Sequence, residues 1–446
     1  MSLFRVRLFR VSLAGCIMGV SAFAASNPTF HKDVLPILQR NCQSCHRTGE
    51  VAPMSLLTYG EARPWAKAIK AAVLSKKMPP WFADPQYGHF ANDRRMQQAD
   101  IDTLSAWADS GAPEGDAKDS PAPLKFVDGW NIKPDMVIEM PEPYQLPATG
   151  TMNWKYMRVK GNFPEDVWVT SGEMRAGNNA VLHHGKVWVV PPGSKWMANA
   201  KYGVAYEGKD AAGNLPGDGS DILGKFNPGL GAQRFDMDGA AKLIKKDSDL
   251  VFELHYTTTG KPTSDLSKVG IVFAKNPPEK RYFLSRGSPL SANLVIPPGE
   301  RDQEVASEVT FDQAVKLVYI QPHMHVRGKD YELRLAYPSG ETHTVFKGKF
   351  DFEWQLGYDL KEPLLLPKGT RMIGIAHFDN SANNPFNPDA KATVYWGEQN
   401  WDEMQSVFVG YIIDRNVDPD AVFHASGVSL LPRGKPGPTL EAASAR

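Results

Sequence analysis

The feature that most constrains the fold is a long series of short apolar segments, each followed by residues that favour turns. From Met136 onward, apolar and polar residues alternate, which is typical of strands that bury one face. The clearest of these segments are Val187–Val190, Leu250–Leu254, Leu317–Ile320 and Tyr331–Leu335. Clusters of proline and glycine separate them, as in Pro191-Pro192-Gly193, Pro297-Pro298-Gly299 and Pro338-Ser339-Gly340. Many short strands joined by such turns predict β-sandwiches of the jelly-roll type.

The β-like region is long enough for two sandwich domains. The chain has 446 residues, of which 42% are hydrophobic, and this composition is sufficient for several separate cores. A segment rich in Pro, Ala, Asp and Lys over residues 112–125 indicates a linker, and Lys275-Asn276-Pro277-Pro278 indicates a boundary inside the β-like region. We therefore predict a linker at 116–134, a first sandwich at 135–278, a second at 279–432 and a tail at 433–446.

The overall charge excludes some classes of partner. Lysine and arginine together number 50, as do aspartate and glutamate, so the formal net charge is zero. Proteins that bind nucleic acid or anionic lipid through their general field carry an excess of positive charge. We therefore expect neither nucleic acid nor an anionic membrane surface as a partner.

The first 25 residues have the composition of a secretory signal peptide. Three arginines within the first ten residues form a positive region, Val11–Ala24 is largely apolar, and Ala22-Phe23-Ala24 fits a cleavage site. A lipoprotein signal is the alternative, because Leu13-Ala14-Gly15-Cys16 has the residues required for lipidation of Cys16. The apolar run is short for a membrane-spanning helix. We predict a periplasmic or secreted protein whose mature form has no transmembrane span.

Two of the three cysteines form a motif with a specific chemistry. Cys42-Gln43-Ser44-Cys45-His46 has the C-x-x-C-H spacing of a c-type haem attachment site. The two thiols lie on one helical turn and can reach the haem vinyl groups, while His46 ligates the iron. A zinc site would need a second cysteine pair, and a redox dithiol would need a thioredoxin-like βαβ context, and the sequence has neither. We predict one covalently bound c-type haem.

Helical patterns surround this motif. Helices are predicted over residues 30–46, 60–77 and 97–109; the second places Trp65, Ile69 and Val73 on one face, and the third carries Ile101, Leu104 and Trp107. The segment resembles the small single-haem cytochrome c domains. We therefore expect a small all-α cytochrome c-like haem domain over residues 27–115.

A methionine near the second helix is the predicted sixth iron ligand. Met78 lies in Lys77-Met78-Pro79-Pro80-Trp81, where the following prolines hold it outside a helix. Methionine opposite histidine raises the haem reduction potential. Met54, Met96 and His89 are the alternative ligands.

The histidines of the β-like region form three unusual groups. His323 and His325 follow a strand-like run, so their side chains lie on one face with Cα atoms about 6.6 Å apart. His183 and His184 open the strand that precedes Val187, and both can reach one ion only at a strand end, a bulge or a turn. His255 closes the strand Leu250–Leu254. A structural role is the ordinary interpretation of any one histidine, but their joint occurrence favours metal binding.

These residues, taken in order, resemble the copper type II, ascorbate-dependent monooxygenases. That family includes the peptidylglycine α-hydroxylating and dopamine β-monooxygenases. The resemblance covers residues 135–432 and includes His183-His184, Glu-Leu-His-Tyr at His255, and H-x-H-x-x-G at residues 323–328. It ends with Met404 in Trp401-Asp402-Glu403-Met404.

The resemblance implies two copper ions and a monooxygenase activity. His183, His184 and His255 would hold an electron-transfer copper in the first sandwich. His323, His325 and Met404 would hold the catalytic, oxygen-activating copper in the second. Two imidazoles and a thioether stabilise Cu(I) and leave an open position. The implied reaction uses O₂ to hydroxylate a C–H bond of a small organic substrate.

Three positions depart from the family members that act on peptides. Gln321 replaces an arginine, Ser406 an asparagine and Phe408 a tyrosine, and in those members these side chains hold a peptide carboxylate. C-terminal amidation is therefore not expected, and the substrate stays open. The family's disulfides are also missing, because Cys42 and Cys45 are assigned to haem. His377 is assigned a structural role, with a place beside the second copper as the alternative.

The sequence thus predicts a multidomain chain, with a small all-α cytochrome c domain followed by two all-β jelly-roll sandwich domains. Its predicted function is that of an exported copper-dependent monooxygenase, supplied with electrons by a periplasmic donor through the haem. Two alternatives remain. One is a periplasmic haem and copper electron-transfer or copper-binding protein without oxygenase activity. The other is a sandwich that docks a haem carrier.

Overall fold

The structure is a computed structural model that describes residues 27–50, 52–126, 129–207, 221–284, 291 and 293–425. The predicted signal peptide with Cys16 and the predicted tail at 433–446 lie outside these residues. Within the described ranges, no helix combines the length and the apolar character needed to cross a membrane.

Short helices occupy the amino-terminal part of the described chain. A π-helical turn, Phe30–Val34, leads into α1 (Leu35–Asn41), and α2 (Tyr59–Ala62), α3 (Ala66–Leu74) and α4 (Gln98–Asp109) follow. Helix α2 begins with a capping box, in which Thr58 and Glu61 satisfy each other's backbone N–H groups. The four helices and the π-helical turn enclose a small apolar core that includes Phe30, Leu104 and Trp107.

Twelve strands form the first half of the β region, in two main sheets. In chain order they are β1 (Met136–Glu139), β2 (Tyr144–Leu146), β3 (Lys155–Lys160), β4 (Val167–Arg175), β5 (Leu182–Val190), β6 (Ala205–Glu207), β7 (Asp221–Phe226), β8 (Gln233–Arg234), β9 (Ala240–Ile244), β10 (Asp249–Tyr256), β11 (Thr263–Asp265) and β12 (Lys268–Phe273). One sheet has the order β6-β3-β10-β5-β7, and the other contains β1-β12-β4-β9 with β8 beside β4. Apolar side chains from both sheets, such as Phe252 and Ile271, form one core.

Eleven strands form the second half. They are β13 (Lys280–Leu284), β14 (Val295–Ile296), β15 (Gln303–Phe311), β16 (Val315–His323), β17 (Gly328–Ala336), β18 (Thr342–Lys349), β19 (Tyr358–Leu366), β20 (Arg371–Phe378), β21 (Val394–Tyr395), β22 (Ser406–Asp414) and β23 (Phe423–Ala425). The orders are β13-β22-β16-β19 and β18-β17-β20-β15-β23. Leu317 and Leu333, from opposite sheets, lie in a second core.

The two halves share a sheet. Strands β9 and β13 pair in parallel, with Ala240 opposite Lys280, so the inner sheets of both halves become one nine-stranded sheet. Tyr319 and Phe408 of the second half also lie in the core of the first. Because backbone pairing and side-chain packing both cross the junction, the two halves are held in a defined relation.

The prediction of a separate all-α cytochrome domain ahead of two sandwich domains is wrong. The described chain is mainly β-sheet, and its longest helix, α4, has only 12 residues. Between α3 and α4 the chain leaves the helices and packs on the second half. Ala83 forms a bridge with Gly348 and Phe90 with Leu360, and the Trp81 ring lies 4.9 Å from that of Tyr358.

The physical reason for this correction is burial of aromatic surface. Phe90 is buried in the core of the second half, and Trp81 and Phe82 pack against that core. A few short helices offer little apolar surface to cover such side chains, whereas a sheet face does. The amino-terminal region is therefore interleaved with the second half and is not a unit with only its own core.

Candidate metal centres

His183, His184 and His255 come together where strands β5 and β10 pair. His255 lies opposite His184, and the next pair joins Tyr256 to Leu182, so His183 is the extra residue of a β-bulge. A bulge re-aims the side chain of its extra residue, which lets sequence neighbours reach the same point. The rings of His183 and His184 stack with centroids 4.0 Å apart. One nitrogen from each of the three rings lies within 4.8 Å of the others.

The electrostatics of this three-histidine group suit a soft or borderline metal ion. Burial lowers the pKa of all three imidazoles, and that of His255 falls to about 3, with the neighbouring His183 adding to the shift. All three rings are therefore neutral at physiological pH, with a lone pair on one nitrogen. The buried Nδ1 of His183 has no hydrogen-bond partner among the described residues. Three neutral imidazoles with an unpartnered nitrogen fit copper or zinc.

Residues of the second half complete the surroundings of the three-histidine group. The Asn400 amide lies 2.9 Å from Nε2 of His255, and the Phe352 ring lies 5.6 Å from His183 and 5.5 Å from His184. Trp154, from the first half, stacks on His255 at 5.0 Å. The group therefore lies at the junction of the halves. Sequence reasoning missed Asn400 and Phe352, and only the position of Asn400 just before the Trp-Asp-Glu-Met motif could have drawn attention to it.

His323 is the last residue of β16 and His325 lies two residues beyond it, with ring centroids 5.3 Å apart. Burial lowers the pKa of both imidazoles, that of His325 to about 4. Nδ1 of His325 lies 3.3 Å from the carbonyl oxygen of Asp402, which can only accept a hydrogen bond. This contact favours a proton on Nδ1 of His325, and the imidazole also has a hydrogen bond with the backbone of Gln399.

A buried carboxylate connects the H-x-H segment to the segment that contains Met404. The Glu403 carboxylate, with no exposed surface, accepts hydrogen bonds from the backbone N–H groups of His325 (2.9 Å), Arg327 (2.6 Å) and Met404 (3.4 Å). Burial raises the pKa of Glu403 to about 8, although these hydrogen bonds oppose the rise. The carboxylate therefore holds the two segments side by side.

Met404 is close to His325 through the backbone. The pairing of β16 with β22 ends at His323 and Ser406, and beyond it the backbone N–H groups of His325 and Met404 donate to the same carboxyl oxygen of Glu403. Met404 is half-buried. Two imidazoles and a thioether in this order are a donor set that suits Cu(I).

The three positions that depart from the peptide-binding pattern lie beside this group. Ser406 is buried, and the Phe408 ring lies 5.7 Å from that of His323. Gln321 is buried and accepts a hydrogen bond from the ammonium group of Lys225. Burial lowers the pKa of Lys225, which also lies 5.0 Å from the Phe408 ring. Gln321, Lys225 and Phe408 line part of a cavity of only about 10 Å³, room for about one water molecule.

The haem motif follows helix α1. Cys42 and Cys45 are both free thiols and half-buried, and burial raises the pKa of Cys42 to about 12. The buried Nδ1 of His46 has no partner among the described residues, and burial lowers the pKa of this imidazole. The His46 imidazole also has a hydrogen bond with the backbone of Met54. Two unpaired thiols and a neutral imidazole fit the donor set of a c-type haem.

The candidate sixth ligands lie in different environments. Met54 and Met96 pack against the helical core that also contacts Cys42. Met78 is half-buried after α3, where its backbone N–H donates to Ala72. His89 lies on the segment that pairs with β19, because its carbonyl accepts from Lys361. The assignment of Met78 as iron ligand stays a prediction.

The segment after the haem motif contacts the first half. Arg47 pairs with Glu50 at 2.8 Å, and Glu50 accepts from Arg175 of β4 at 2.7 Å. The Asn179 amide donates to the carbonyl oxygen of Gly49 at 2.8 Å. Asn179 lies in the loop that leads into β5, close along the chain to His183 and His184. The segment after the haem motif therefore contacts the loop that carries two of the three histidines.

His377 contacts residues outside the two histidine groups and the haem motif. On β20, its Nδ1 lies 2.7 Å from a carboxylate oxygen of Asp330 and its Nε2 lies 3.5 Å from one of Glu304. Both partners are on neighbouring strands of the outer sheet, β17 and β15. These contacts support the structural role that the sequence assigned to it.

Comparison with known proteins gives no family for the chain. No family model matches it, and no curated protein matches it. Among solved structures it is similar to PNGase F, a glycosylasparaginase from Flavobacterium meningosepticum, with 9% identity and a TM-score of 0.30, covering 66% of this chain and 99% of that one. It is also similar to the structure of infectious bursal disease virus Gx strain, with 9% identity and a TM-score of 0.19, covering 67% of this chain and 78% of that one. At these values the likenesses assign no activity.

Proposed function

We propose that the chain is an exported, copper-dependent monooxygenase that hydroxylates a C–H bond of a small organic substrate with O₂. The observation that carries the proposal is the convergence of His183, His184 and His255 on one point. His323 and His325, with Met404 as the proposed third donor, lie beside the first group at the same junction, since His184 and His323 line one cavity. One histidine group would hold an electron-transfer metal, and the other the metal at which the substrate reacts.

Copper held by these two groups would supply one-electron redox chemistry and the activation of O₂. The protein's own residues keep the imidazoles neutral by burying them, so that their nitrogens are available as ligands at physiological pH. Glu403 holds the backbone of His325 and Met404 together, which sets two donors of one group in a fixed relation. A thioether donor favours the reduced ion, the state that an oxygenase needs before it meets O₂.

A c-type haem on Cys42, Cys45 and His46 is the proposed entry point for electrons from a periplasmic donor. The contacts that support it are those of the adjoining segment, from Arg47 through Glu50 to Arg175 and from Gly49 to Asn179. They join residues 47–50, directly after the motif, to β4 and to the loop that leads to His183. Reducing the haem without oxygen and following the Cu(II) electron paramagnetic resonance signal tests this route. The signal decreases if the route exists, and a persistent signal contradicts it.

Metal content and oxygen consumption test the function itself. The oxygenase is expected to bind about two coppers and one haem iron per chain, and to consume O₂ when a reductant and a substrate are supplied. Met404→Ala is expected to abolish this consumption, whereas Met136→Ala, a half-buried methionine on β1, retains it. A screen of aliphatic, phenolic and amine C–H donors then identifies the substrate.

The alternative is an electron-transfer protein without oxygenase activity. The small size of the cavity between the histidine groups favours it, because about 10 Å³ leaves no room for an organic substrate unless the junction opens. Such a protein would bind the same metals and be reduced through the haem, but would consume almost no O₂ with any donor of the screen. That result would replace the first proposal.

A further inference from the structure

We infer that Gln355 is a positioning residue that links the two histidine groups through its side-chain amide. Gln355 lies between β18 and β19 and is almost completely buried. Its Oε1 lies 2.7 Å from Nδ1 of His323, and its Nε2 lies 3.4 Å from Nε2 of His184. One side chain therefore contacts one imidazole of each group. The inference rests on the proposed function only in taking both groups as metal ligands.

The hydrogen bonds of the amide decide which nitrogen of His323 has the proton. Nε2 of Gln355 also donates to the carbonyl oxygen of Phe352 at 3.3 Å, so the amide nitrogen faces Phe352 and the amide oxygen faces His323. An amide oxygen only accepts, and Nδ1 of His323 must therefore donate. This fixes the Nδ1-protonated tautomer and leaves the lone pair of His323 on Nε2, the nitrogen that is available to a metal.

The backbone of Gln355 is held from both halves of the molecule. Its carbonyl oxygen accepts from the amide of Gln321 at 2.7 Å, in the second half, and from that of Asn227 at 3.1 Å, in the first half. Two donors on one carbonyl leave little freedom for the peptide unit. The amide side chain is therefore presented to both imidazoles in a defined orientation.

Neighbouring residues of the same loop extend this link. Phe352 packs against His183 and His184, and the carbonyl oxygen of Gly357 accepts from the amide of Asn92 at 2.9 Å. Asn92 follows the segment that joins the helices to the second half. The loop over residues 350–357 thus contacts both histidine groups and the amino-terminal region at once.

Substitutions at one position separate the two contacts. Gln355→Glu keeps an acceptor for Nδ1 of His323 but removes the amide donor to His184, whereas Gln355→Ala removes both. An acceptor for the ring N–H of a metal-ligating histidine typically changes metal affinity about 10- to 100-fold when it is lost. We therefore expect Gln355→Ala to weaken copper binding by the group of His323 to that extent, and Gln355→Glu to preserve it. At His184 the amide N–H competes with a metal for the lone pair on Nε2, so neither variant is expected to weaken copper binding by the three-histidine group.

Two measurements on the full chain test the link. Titration with copper alone, followed by electron paramagnetic resonance, gives the affinity of each group, and long-range ¹H–¹⁵N correlation spectra of the metal-free protein give the histidine tautomers. The tautomer of His323 is expected to be Nδ1-protonated in the wild type and in Gln355→Glu, and mixed in Gln355→Ala. Gln145→Ala, an exposed glutamine on β2, serves as the matched control and is expected to match the wild type in both measurements.

An unchanged His323 tautomer and unchanged copper affinities in Gln355→Ala would overturn the inference. If Gln355→Ala does not fold, Gln355→Glu decides alone through His184. The proton of this imidazole should move from Nδ1 to Nε2 when a carboxylate oxygen replaces the amide donor, and an unchanged His184 tautomer contradicts a link through that donor. Failure of the wild type to bind copper overturns the proposed function instead. In that case the tautomer spectra still decide whether Gln355 positions His323.

Discussion

The two histidine groups lie side by side at the same junction, but they are built by different means. The three-histidine group comes from a β-bulge within one half and is closed by neutral amides and an aromatic ring from the other. The second group comes from a strand end and is held by a buried carboxylate, Glu403, that binds three backbone N–H groups. The first is thus assembled across the junction, whereas the second is assembled within one half.

The largest effect is expected from removing one ligand of each group in turn. His184→Ala should reduce copper from about two ions per chain to one and leave the group of His323 and His325 loaded. His323→Ala should do the converse and also abolish oxygen consumption, because its group is the proposed site of oxygen activation. Metal analysis and electron paramagnetic resonance check both variants. Loss of both coppers in either variant would show that the groups do not bind independently.

The shared sheet can be tested through a buried ion pair beside the junction. Lys242 of β9 and Asp221 of β7 lie 2.5 Å apart, both almost completely buried, and the Lys242 ammonium lies 5.3 Å from the Tyr282 ring of β13. Lys242→Met leaves the Asp221 carboxylate buried without its partner, so the free energy of unfolding should fall by about 3–5 kcal/mol. The double variant Lys242→Met, Asp221→Leu should recover most of the lost free energy of unfolding. Urea unfolding measures both, and equal losses in the two variants would contradict this reading.

The same lysine predicts a pH dependence of stability. Burial lowers the pKa of Lys242 to about 8, whereas the unfolded chain has the ordinary value of 10.5. Between pH 8 and 10.5 the unfolded state therefore binds the proton and the folded state does not, so the lysine's contribution makes stability rise with pH across this window. Below pH 8 that gain is absent. Urea unfolding of the wild type and the double variant at pH 7.5 and 10 isolates the contribution of Lys242 to the pH dependence. An identical change of stability with pH in both proteins would contradict this prediction.

The carboxylate that holds the second group should matter to that group alone. Glu403→Ala leaves three backbone N–H groups without their acceptor, and we expect a loss of about 2–3 kcal/mol in the free energy of unfolding. Copper affinity of the second group should fall with it, while that of the three-histidine group stays unchanged. Urea unfolding and copper titration check the two parts. An equal loss of affinity at both groups would show that Glu403 acts on the junction as a whole.

The smallest effect is expected at Asn400, the amide that contacts His255. Asn400→Ala removes a single partly buried hydrogen bond, which contributes about 1 kcal/mol to stability. Because the Asn400 amide donates to Nε2 of His255, it competes with a metal for that lone pair, so copper affinity of the three-histidine group should rise slightly, with the second group unaffected. Copper titration measures this change. A loss of copper affinity at the second group would show that Asn400 does not act on the three-histidine group alone.

Much of the β architecture could be predicted, because alternation is a local property of the chain. Val187–Val190, Leu250–Leu254, Leu317–Ile320 and Tyr331–Leu335 lie within β5, β10, β16 and β17. Among the helices, α3 and α4 lie within the predicted ranges, whereas the helix predicted over residues 30–46 ends at Asn41, before the C-x-x-C-H motif. The separate all-α domain was wrong because residues 81–90, between two predicted helices, have their contacts in another part of the molecule.

By itself, the sequence determined which side chains can act as donors: the histidine pairs, Met404 and the C-x-x-C-H motif, since residue type and spacing are written in the chain. Only the tertiary structure decided that His183 is a bulge residue and that Gln355 and Asn400 complete the groups. Gln355 is 171 residues from His184, and Asn400 is 145 residues from His255. Contacts over such distances arise from the packing of the two halves, and no local pattern encodes them.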